Sequence, residues 1–226
     1  MNSVIVEEKH DELESIKITE DMFEDHNIKI IRKPETVSMI IKNDINGDML
    51  SKIAFPLDLT NLMFECMHDA SFYGVKIPDT LRVLRITVIW PLSIRDLILP
   101  TNLHTFELSN VDLDTNLVLP PHLHTLILHA QLSDKFILSH SIKILCLSMG
   151  YDNNYDNLPH HLEELILFSS GRIIKKCATN LPVTLKKIVF LCAENNDLIK
   201  MFPKIPYGCE IIYDCTYVHY LNVRIW

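Results

Sequence analysis

The chain has 226 residues, of which 48% are hydrophobic and 22% charged, and its formal net charge at pH 7 is −8. The apolar content is sufficient for a sizeable core, whereas no apolar run approaches the roughly 18 residues of a membrane-spanning helix. The acidic balance argues against a surface that neutralises phosphates, so we expect neither a nucleic-acid partner nor a membrane.

Residues 1–50 predict an amino-terminal cap. Short segments in which apolar and polar residues alternate read as strands at residues 3–6, 15–19, 27–32 and 36–42. Nine acidic residues between Glu7 and Asp25 provide a solvated face for this cap. Asn46-Gly47 predicts a turn just before a repeated pattern begins.

From residue 55 onward, a pattern of proline and leucine-like residues recurs about every 20 residues. An apolar residue and an anchor proline are followed by apolar residues three, six and eight positions after the anchor, as in Leu99-Pro100 with Leu103, Phe106 and Leu108. The anchors stand at positions 56, 78, 100, 120, 139, 159, 182 and 206, and serine replaces proline at 139. The register defines an array of about eight repeats over residues 51–214.

The offsets within the repeat predict its local structure. The last two apolar positions are two residues apart, which is the strand period, so both side chains point to one face. One repeat cannot bury three large apolar side chains alone, whereas stacked repeats form continuous leucine columns. We therefore predict a curved leucine-rich-repeat solenoid, α/β to mostly β, with one parallel strand per repeat of 19–24 residues. In the degenerate eighth repeat, Ile212 and Asp214 take the two inward strand positions.

Residues 215–226 predict a carboxyl-terminal capping strand. Their β-prone, largely apolar sequence suits the last strand of the array. If this strand were left exposed, its edge would pair with another chain, so the protein is expected to be a monomer or a dimer formed through this tail.

The strand residues that point away from the leucines form the concave face of the predicted solenoid. In the later repeats these positions are apolar and form one stripe, which is typical of an interaction site when it is exposed. The candidate partner-binding residues are Arg85, Glu107, Ile127, Ile144, Cys146, Glu164, Ile166, Phe168 and Val189. Two alternatives remain open: a β-rich surface that simply prefers β-branched residues, and a tail that folds back over the stripe.

Catalytic and metal-binding signatures are missing from the sequence. The five glycines are isolated, so no phosphate-binding loop or dinucleotide fingerprint is present. Histidines recur at equivalent positions, such as His104 and His124, but no cysteine or carboxylate completes a ligand set. We predict no enzymatic activity, no metal and no cofactor. Six cysteines without a CxxC pair, and an acidic start unlike a signal peptide, indicate a cytoplasmic location.

The repeat core, its spacing near 22 residues and the Ile-Pro variants at residues 77–78 and 205–206 resemble the FNIP repeat family. These leucine-rich-repeat proteins are abundant in social amoebae and giant DNA viruses, and the resemblance covers about residues 55–214. The F-N dipeptide of the family is missing, since the segments after the strands read, for example, Asn110-Val111. The resemblance implies a viral or amoebal protein, which in the viral case acts in the host cytoplasm.

The function predicted from these features is a non-enzymatic scaffold that binds a protein partner through its concave sheet face. Some family members resemble ubiquitin-ligase adaptors because an F-box precedes their repeats, whereas residues 1–50 read as strands. The resemblance therefore does not carry the F-box role to this chain, and one alternative is a substrate receptor that a ubiquitin ligase recruits through the amino-terminal cap. The other is a self-associating structural protein that uses its tail.

Overall fold

The structure is a computed structural model. It describes residues 27–42, 50–67, 72–94, 96–112, 117–129, 136–149, 157–169, 179–191 and 202–214. The chain divides into two compact units, residues 1–120 and 121–226, which we call the N-terminal half and the C-terminal half. Each half holds five of the described strands.

In the N-terminal half, an antiparallel hairpin opens a sheet that continues in parallel. Its strands are β1 (Asn27–Lys33), β2 (Thr36–Lys42), β3 (Asn61–Met67), β4 (Val83–Ser93) and β5 (Thr105–Asp112). β1 and β2 are antiparallel, and β2 to β5 follow one another as parallel neighbours. The strands predicted at 27–32 and 36–42 are confirmed, whereas those predicted at 3–6 and 15–19 lie outside the described residues.

Strand β2 joins the parallel array although the sequence pattern begins later. Met39 pairs with Leu62 and Ile41 with Phe64, and all four side chains are buried. Pro34 lies in the tight turn of the hairpin, so β2 follows directly and lacks the leading leucine of the repeat. Strand stacking therefore extends upstream of residue 51.

In the C-terminal half, all neighbouring strands are parallel. They are β6 (Thr125–His129), β7 (Ile144–Met149), β8 (Glu164–Ser169), β9 (Lys187–Leu191) and β10 (Glu210–Asp214), paired in chain order. Each half is therefore a stretch of β-solenoid with one parallel strand per repeat. Almost no helix occurs in the part of the chain that the structure describes. At this level, the prediction of a mostly β repeat array is confirmed.

The leucine triplets form the core on one face of each sheet, which we call the inner face. In the seven complete repeats, the three apolar residues after the anchor are at most 2% exposed. Equivalent positions stack through the strand register, so that Leu145 lies between Leu126 and Leu165. Full burial of one such side chain stabilises the fold by about 1.5–3 kcal/mol. The leucine columns are therefore the main source of stability.

Tight turns precede the strands of the array. The anchor carbonyl accepts a hydrogen bond from the amide three residues later, and Leu103 N is 3.2 Å from Pro100 O. The same bond joins Ile142 N to Ser139 O at 3.3 Å, so the turn forms without proline. Proline suits the anchor position because the turn uses its carbonyl and does not need an amide donor there.

Hydroxyl side chains two residues after the anchor tie a turn to the preceding repeat. Thr184 Oγ1 lies 2.8 Å from the carbonyl oxygens of both His160 and Leu162, toward which it donates. Ser141 Oγ donates to the Leu123 carbonyl oxygen at 2.7 Å. Each bond satisfies a backbone acceptor that lies beyond the ladder of the sheet, and it holds successive turns in register.

Described residues of two crossovers pack on the inner face. The ring of Phe72 lies edge-on to Phe64, with centroids 5.6 Å apart, and Phe202 lies 6.2 Å from Phe190. Both crossover residues are buried. Gly74, with φ of 74°, provides the left-handed backbone that turns the chain after Phe72. At these two places, the inner core lies between a strand and a crossover residue.

The eighth repeat departs from the prediction by one residue. The sequence pattern places Ile212 and Asp214 on the inner face, but Ile212 pairs with Val189 and Tyr213 pairs with Phe190. A shift of one residue exchanges the two faces of a strand, so the prediction is wrong for this repeat. The observed register stacks the Tyr213 ring on Phe190, with centroids 5.2 Å apart. The predicted register would instead bury the carboxylate of Asp214 at this position.

Candidate interaction surface

The face opposite the leucine columns, which we call the outer face, carries the residues predicted to bind a partner. In the C-terminal half, the register places Cys146 between Ile127 and Ile166, and Val189 next to Ile166. Buried and partly buried side chains form one apolar group: Ile127, Cys146, Ile166, Val189, Leu191, Ile144, Phe168 and Ile212. We call it the outer-face cluster. It unites six of the nine predicted residues, while Glu164 borders it and Arg85 and Glu107 lie in the N-terminal half.

The outer-face cluster is buried, whereas the sequence pattern suggested a stripe on a solvated face. Ile127 and Ile166 are 2% and 3% exposed, and Cys146, Val189 and Leu191 are 0% exposed. Parallel strands that are covered on both faces read as continuous apolar runs. The segment Ile144-Leu145-Cys146-Leu147 in β7 is such a run, and its continuity is the signal that distinguishes a covered face from an open one.

A charge pair and a histidine border the outer-face cluster. Lys187 Nζ is 3.5 Å from Glu164 Oε1, and both side chains are largely buried. The imidazole of His129 packs edge-on against Phe168, with ring centroids 5.9 Å apart. Burial lowers the pKa of His129, because the charged imidazolium loses its hydration. The border therefore combines an ion pair with a neutral ring at pH 7.

The outer face of the N-terminal half centres on a buried ion pair. Arg85 in β4 and Glu107 in β5 are direct register partners. Arg85 Nε is 3.0 Å from Glu107 Oε2, and the two side chains are 6% and 13% exposed. Glu107 Oε2 accepts no hydrogen bond from the described residues, so its contact with the guanidinium is mainly Coulombic. The two predicted residues are thus brought together, but as partners of each other.

Burial dominates the electrostatics of this pair. It raises the pKa of the Glu107 carboxyl, and attraction to Arg85 offsets part of that rise. Burial also lowers the pKa of the Arg85 guanidinium, which the Glu107 charge partly offsets. Removal of Arg85 leaves the buried Glu107 carboxylate without this counter-ion, which is strongly destabilising. The pair therefore fixes the register of β4 against β5 more than it offers charge to a ligand.

A second group of charges, absent from the predicted site, lies at the strand starts of the C-terminal half. Glu163 Oε2 is 2.6 Å from Lys186 Nζ, and Glu163 Oε1 is 3.1 Å from Lys143 Nζ. Hydrogen bonds from Lys186 and Lys143 lower the pKa of Glu163 to about 2. His161 and Thr184 complete a shallow groove of about 260 Å³. Lys143, Glu163 and Lys186 form what we call the charge ladder. The sequence signal for it is that the three residues stand four positions after successive anchors and alternate in charge.

In the described part of the chain, one pair of histidines at equivalent positions is stacked, and it is not the predicted pair His104 and His124. His140 and His160 hold equivalent positions in successive repeats, and their rings are stacked with centroids 6.0 Å apart and planes 6° apart. Within the described ranges, no three His, Cys, Asp or Glu side chains are grouped so that they could hold a metal ion. Parallel imidazoles direct their nitrogens alongside one another, whereas a metal requires ligands that converge on one point.

Comparison with protein-family models found no match, and comparisons with curated proteins and with solved structures found no similar protein. In the described part of the chain, no helix has the length and apolar character that crossing a membrane requires.

Proposed function

We propose that the protein is a non-enzymatic scaffold that binds a protein partner through the outer face of its sheet. The observation that carries this proposal is the outer-face cluster, a continuous apolar surface across β6 to β10. The inner face already supplies the hydrophobic core of the repeats. A second contiguous apolar face beyond that core is typical of an interaction site when it becomes exposed.

Charged residues next to the apolar surface supply selectivity in this proposal. Glu164 and Lys187 lie 3.5 Å apart at the border of the cluster and present both signs of charge to a partner. Charged groups at a border reject partners of the wrong charge more than they add affinity, while the apolar side chains act as anchors.

The proposed protein class is a curved leucine-rich-repeat solenoid of the FNIP type, with the outer face on its concave side. Stacked leucine columns, one parallel strand per repeat and a recurrent turn before the strands support this class. The proposed setting is the cytoplasm, or the host cytoplasm for a viral protein. Neither a cofactor nor a metal is part of the proposal.

Burial of the cluster determines how a partner reaches it. At 0–3% exposure the central side chains offer no contact surface until the atoms above them move. A partner that presents an apolar segment replaces one apolar cover with another, so little net hydrophobic energy is lost in the exchange. We therefore expect slow association, because binding waits for the covered face to open.

Proximity labelling in cells that make the protein tests this proposal. Phe168→Ala removes a half-buried ring at the margin of the cluster, and Val183→Ala alters a side chain that is 91% exposed at a turn of the same half. We expect the Phe168 variant to lose a labelled partner that the wild type and the Val183 control retain. Circular dichroism establishes that both variants are folded. Identical partner lists for all three proteins would contradict binding at the outer face.

A further inference from the structure

The sheet of each half ends in a strand that has one strand neighbour among the described residues. In the N-terminal half β1 pairs with β2 alone, and in the C-terminal half β10 pairs with β9 alone. An edge strand presents backbone N–H and C=O groups on its open side, and these groups can bind a further strand. The described ends of the two sheets are therefore candidate sites for the addition of a strand.

Exposure of the side chains rises at both edge strands. Residues 188–191 of β9 are 0% exposed, whereas Tyr213 in β10 is 39% exposed. At the other end, Met39 in β2 is 2% exposed, whereas its register partner Ile30 in β1 is half-buried. Apolar side chains at both edges therefore remain accessible to a further strand in the single chain.

The two edge strands carry opposite charges. Strand β1, with the sequence NIKIIRK, has three basic residues and no acidic one, and strand β10, with the sequence EIIYD, has two acidic residues and no basic one. Like charges directly opposite each other in a sheet are destabilising, and opposite charges stabilise the pair. The charges therefore favour pairing of β10 with β1 and oppose pairing of either strand with its own copy.

The hydrogen bonds between β9 and β10 show which backbone groups of β10 point outward. Glu210 N donates to Lys186 O at 2.8 Å, which is the side of β9. Successive residues of a strand direct their backbone groups to opposite sides. The N–H and C=O groups of Ile211 and Tyr213 therefore point to the open edge.

The same reasoning identifies the outward backbone groups of β1. In β2, the carbonyl of Val37 accepts a hydrogen bond from Thr60 N at 2.9 Å, and Val37 N donates to Thr60 Oγ1 at 3.0 Å. Both bonds point toward β3, so Val37 and its register partner Arg32 are a pair without mutual hydrogen bonds. The backbone groups of Arg32, and by alternation those of Ile30, therefore point to the open edge.

One antiparallel register of β10 against β1 satisfies backbone, face and charge together. With Ile211 opposite Arg32 and Tyr213 opposite Ile30, the outward backbone groups meet, and all four residues belong to the inner faces. A parallel pairing that matched these backbone groups would put the two inner faces on opposite sides of the sheet. In the antiparallel register, the outer-face pairs are Glu210 with Lys33, Ile212 with Ile31 and Asp214 with Lys29.

We propose that copies of this protein associate head to tail, with β10 of one copy paired antiparallel to β1 of the next. Tyr213 and Ile30 then join the inner faces of two copies, since they are register partners of the buried Phe190 and Met39. The contact is heterologous because it uses two different edges, so each added copy leaves one edge of each kind open at the ends. A strand of five residues makes a small interface, so the assembly is weak and depends on concentration. This association does not depend on the proposed scaffold function.

Reversal of the charges on each edge tests the proposal. Sedimentation velocity at low salt and several protein concentrations compares the wild type with Lys29→Glu/Lys33→Glu and with Glu210→Lys/Asp214→Lys. We expect the average mass of the wild type to rise with concentration, and each variant alone to associate roughly tenfold more weakly or less, because like charges then face each other. An equimolar mixture of the two variants should associate again, because the acidic β1 of one meets the basic β10 of the other. Circular dichroism establishes that both variants are folded.

A disulfide between two chains tests the register independently of charge. Ile212→Cys and Ile31→Cys are made in separate chains in which alanine replaces the six native cysteines. The proposed register makes these positions a pair without mutual hydrogen bonds, with Cα atoms about 4.5 Å apart, which suits a disulfide. We expect oxidation of the mixed chains to link position 212 to position 31. Arg32→Cys is the matched control, since it lies one residue away on the other face and should link poorly.

Each measurement has an outcome that would overturn the proposal. A wild type that stays monomeric at every concentration would do so, as would a mixture of the two charge variants that associates no better than either alone. Equal linking of Ile212→Cys to Ile31→Cys and to Arg32→Cys would show that no defined strand pairing exists. None of these results bears on the outer-face partner, whose loss in the Phe168→Ala variant is measured separately.

Discussion

Burial on both faces of β8 predicts that two adjacent substitutions destabilise the protein by similar amounts. Leu165 points to the inner face and Ile166 to the outer face, at 0% and 3% exposure. Replacement by alanine removes three carbons in each case, which amounts to about 2.4 kcal/mol at about 0.8 kcal/mol per buried carbon. The cavity that remains raises each loss to about 3–4 kcal/mol.

Urea denaturation of Leu165→Ala and Ile166→Ala measures the two losses in the free energy of unfolding. We expect the two values to agree within about 1 kcal/mol, because the two side chains are buried to nearly the same extent. Exposed apolar side chains contribute little, and their truncation usually changes stability by less than about 0.5 kcal/mol. A loss below about 0.5 kcal/mol for Ile166→Ala, together with a loss of about 3–4 kcal/mol for Leu165→Ala, would refute burial on the outer face.

Further predictions concern the ion pair, the turn and two titrating groups. Arg85→Met alone should destabilise the fold by about 3–5 kcal/mol, and the Arg85→Met/Glu107→Leu double variant should recover most of this loss in thermal denaturation; a double variant no more stable than Arg85→Met would contradict a coupled pair. Thr184→Val should cost about 1 kcal/mol in urea denaturation, and Thr184→Ser should cost less because it keeps the hydroxyl; equal losses would mean that the hydrogen bonds do not matter. Because burial lowers the pKa of His129, the unfolded chain takes up a proton near pH 6.5 before the folded chain does, so the free energy of unfolding should fall as the pH drops below 6.5. Thermal melts at several pH values should show a weaker pH dependence for His129→Gln. The pKa of Glu163 is lowered to about 2, so its contribution is present above pH 4.5 and lost toward pH 2; Glu163→Gln should remove this acid dependence at low salt, and an unchanged profile would show that the ladder is inert.

The strand register of the array followed from sequence because the repeat imposes the same choice seven times. Leu126 and Leu128, two residues apart, define one face of β6, and every later repeat except the last repeats that spacing. A single strand with apolar residues on both faces would have been ambiguous, since period and burial then give no preferred face. Stacking of equivalent positions removed this ambiguity.

The eighth repeat shows where this reasoning fails. Asp214 breaks the pattern, and the register is then decided by a tertiary contact, the stack of Tyr213 on Phe190. Such a contact depends on which ring is available in the neighbouring repeat, and periodicity within one repeat carries no information about it. Strand β2 was predicted as part of the cap, and its place in the parallel array was missed for a related reason, because its hairpin turn replaces the leucine that marks the other repeats.

The candidate site was foreseen in its members but not in its accessibility. The columns of Ile127, Cys146 and Ile166 were readable from the spacing of the anchors. Their burial depends on what lies above the sheet, which is a property of distant chain segments. The Lys143–Glu163–Lys186 ladder was readable as well, since equivalent positions of successive repeats become neighbours in the sheet.

Cysteine alkylation tests the central claim of a covered outer face most directly. In a protein in which serine replaces the other five cysteines, the rate at which iodoacetamide alkylates Cys146 is compared between the native and the urea-unfolded chain. The account predicts that the native protein reacts more slowly by a factor of about a hundred or more, because Cys146 is 0% exposed. Alkylation of the native protein as fast as that of the unfolded chain would contradict it.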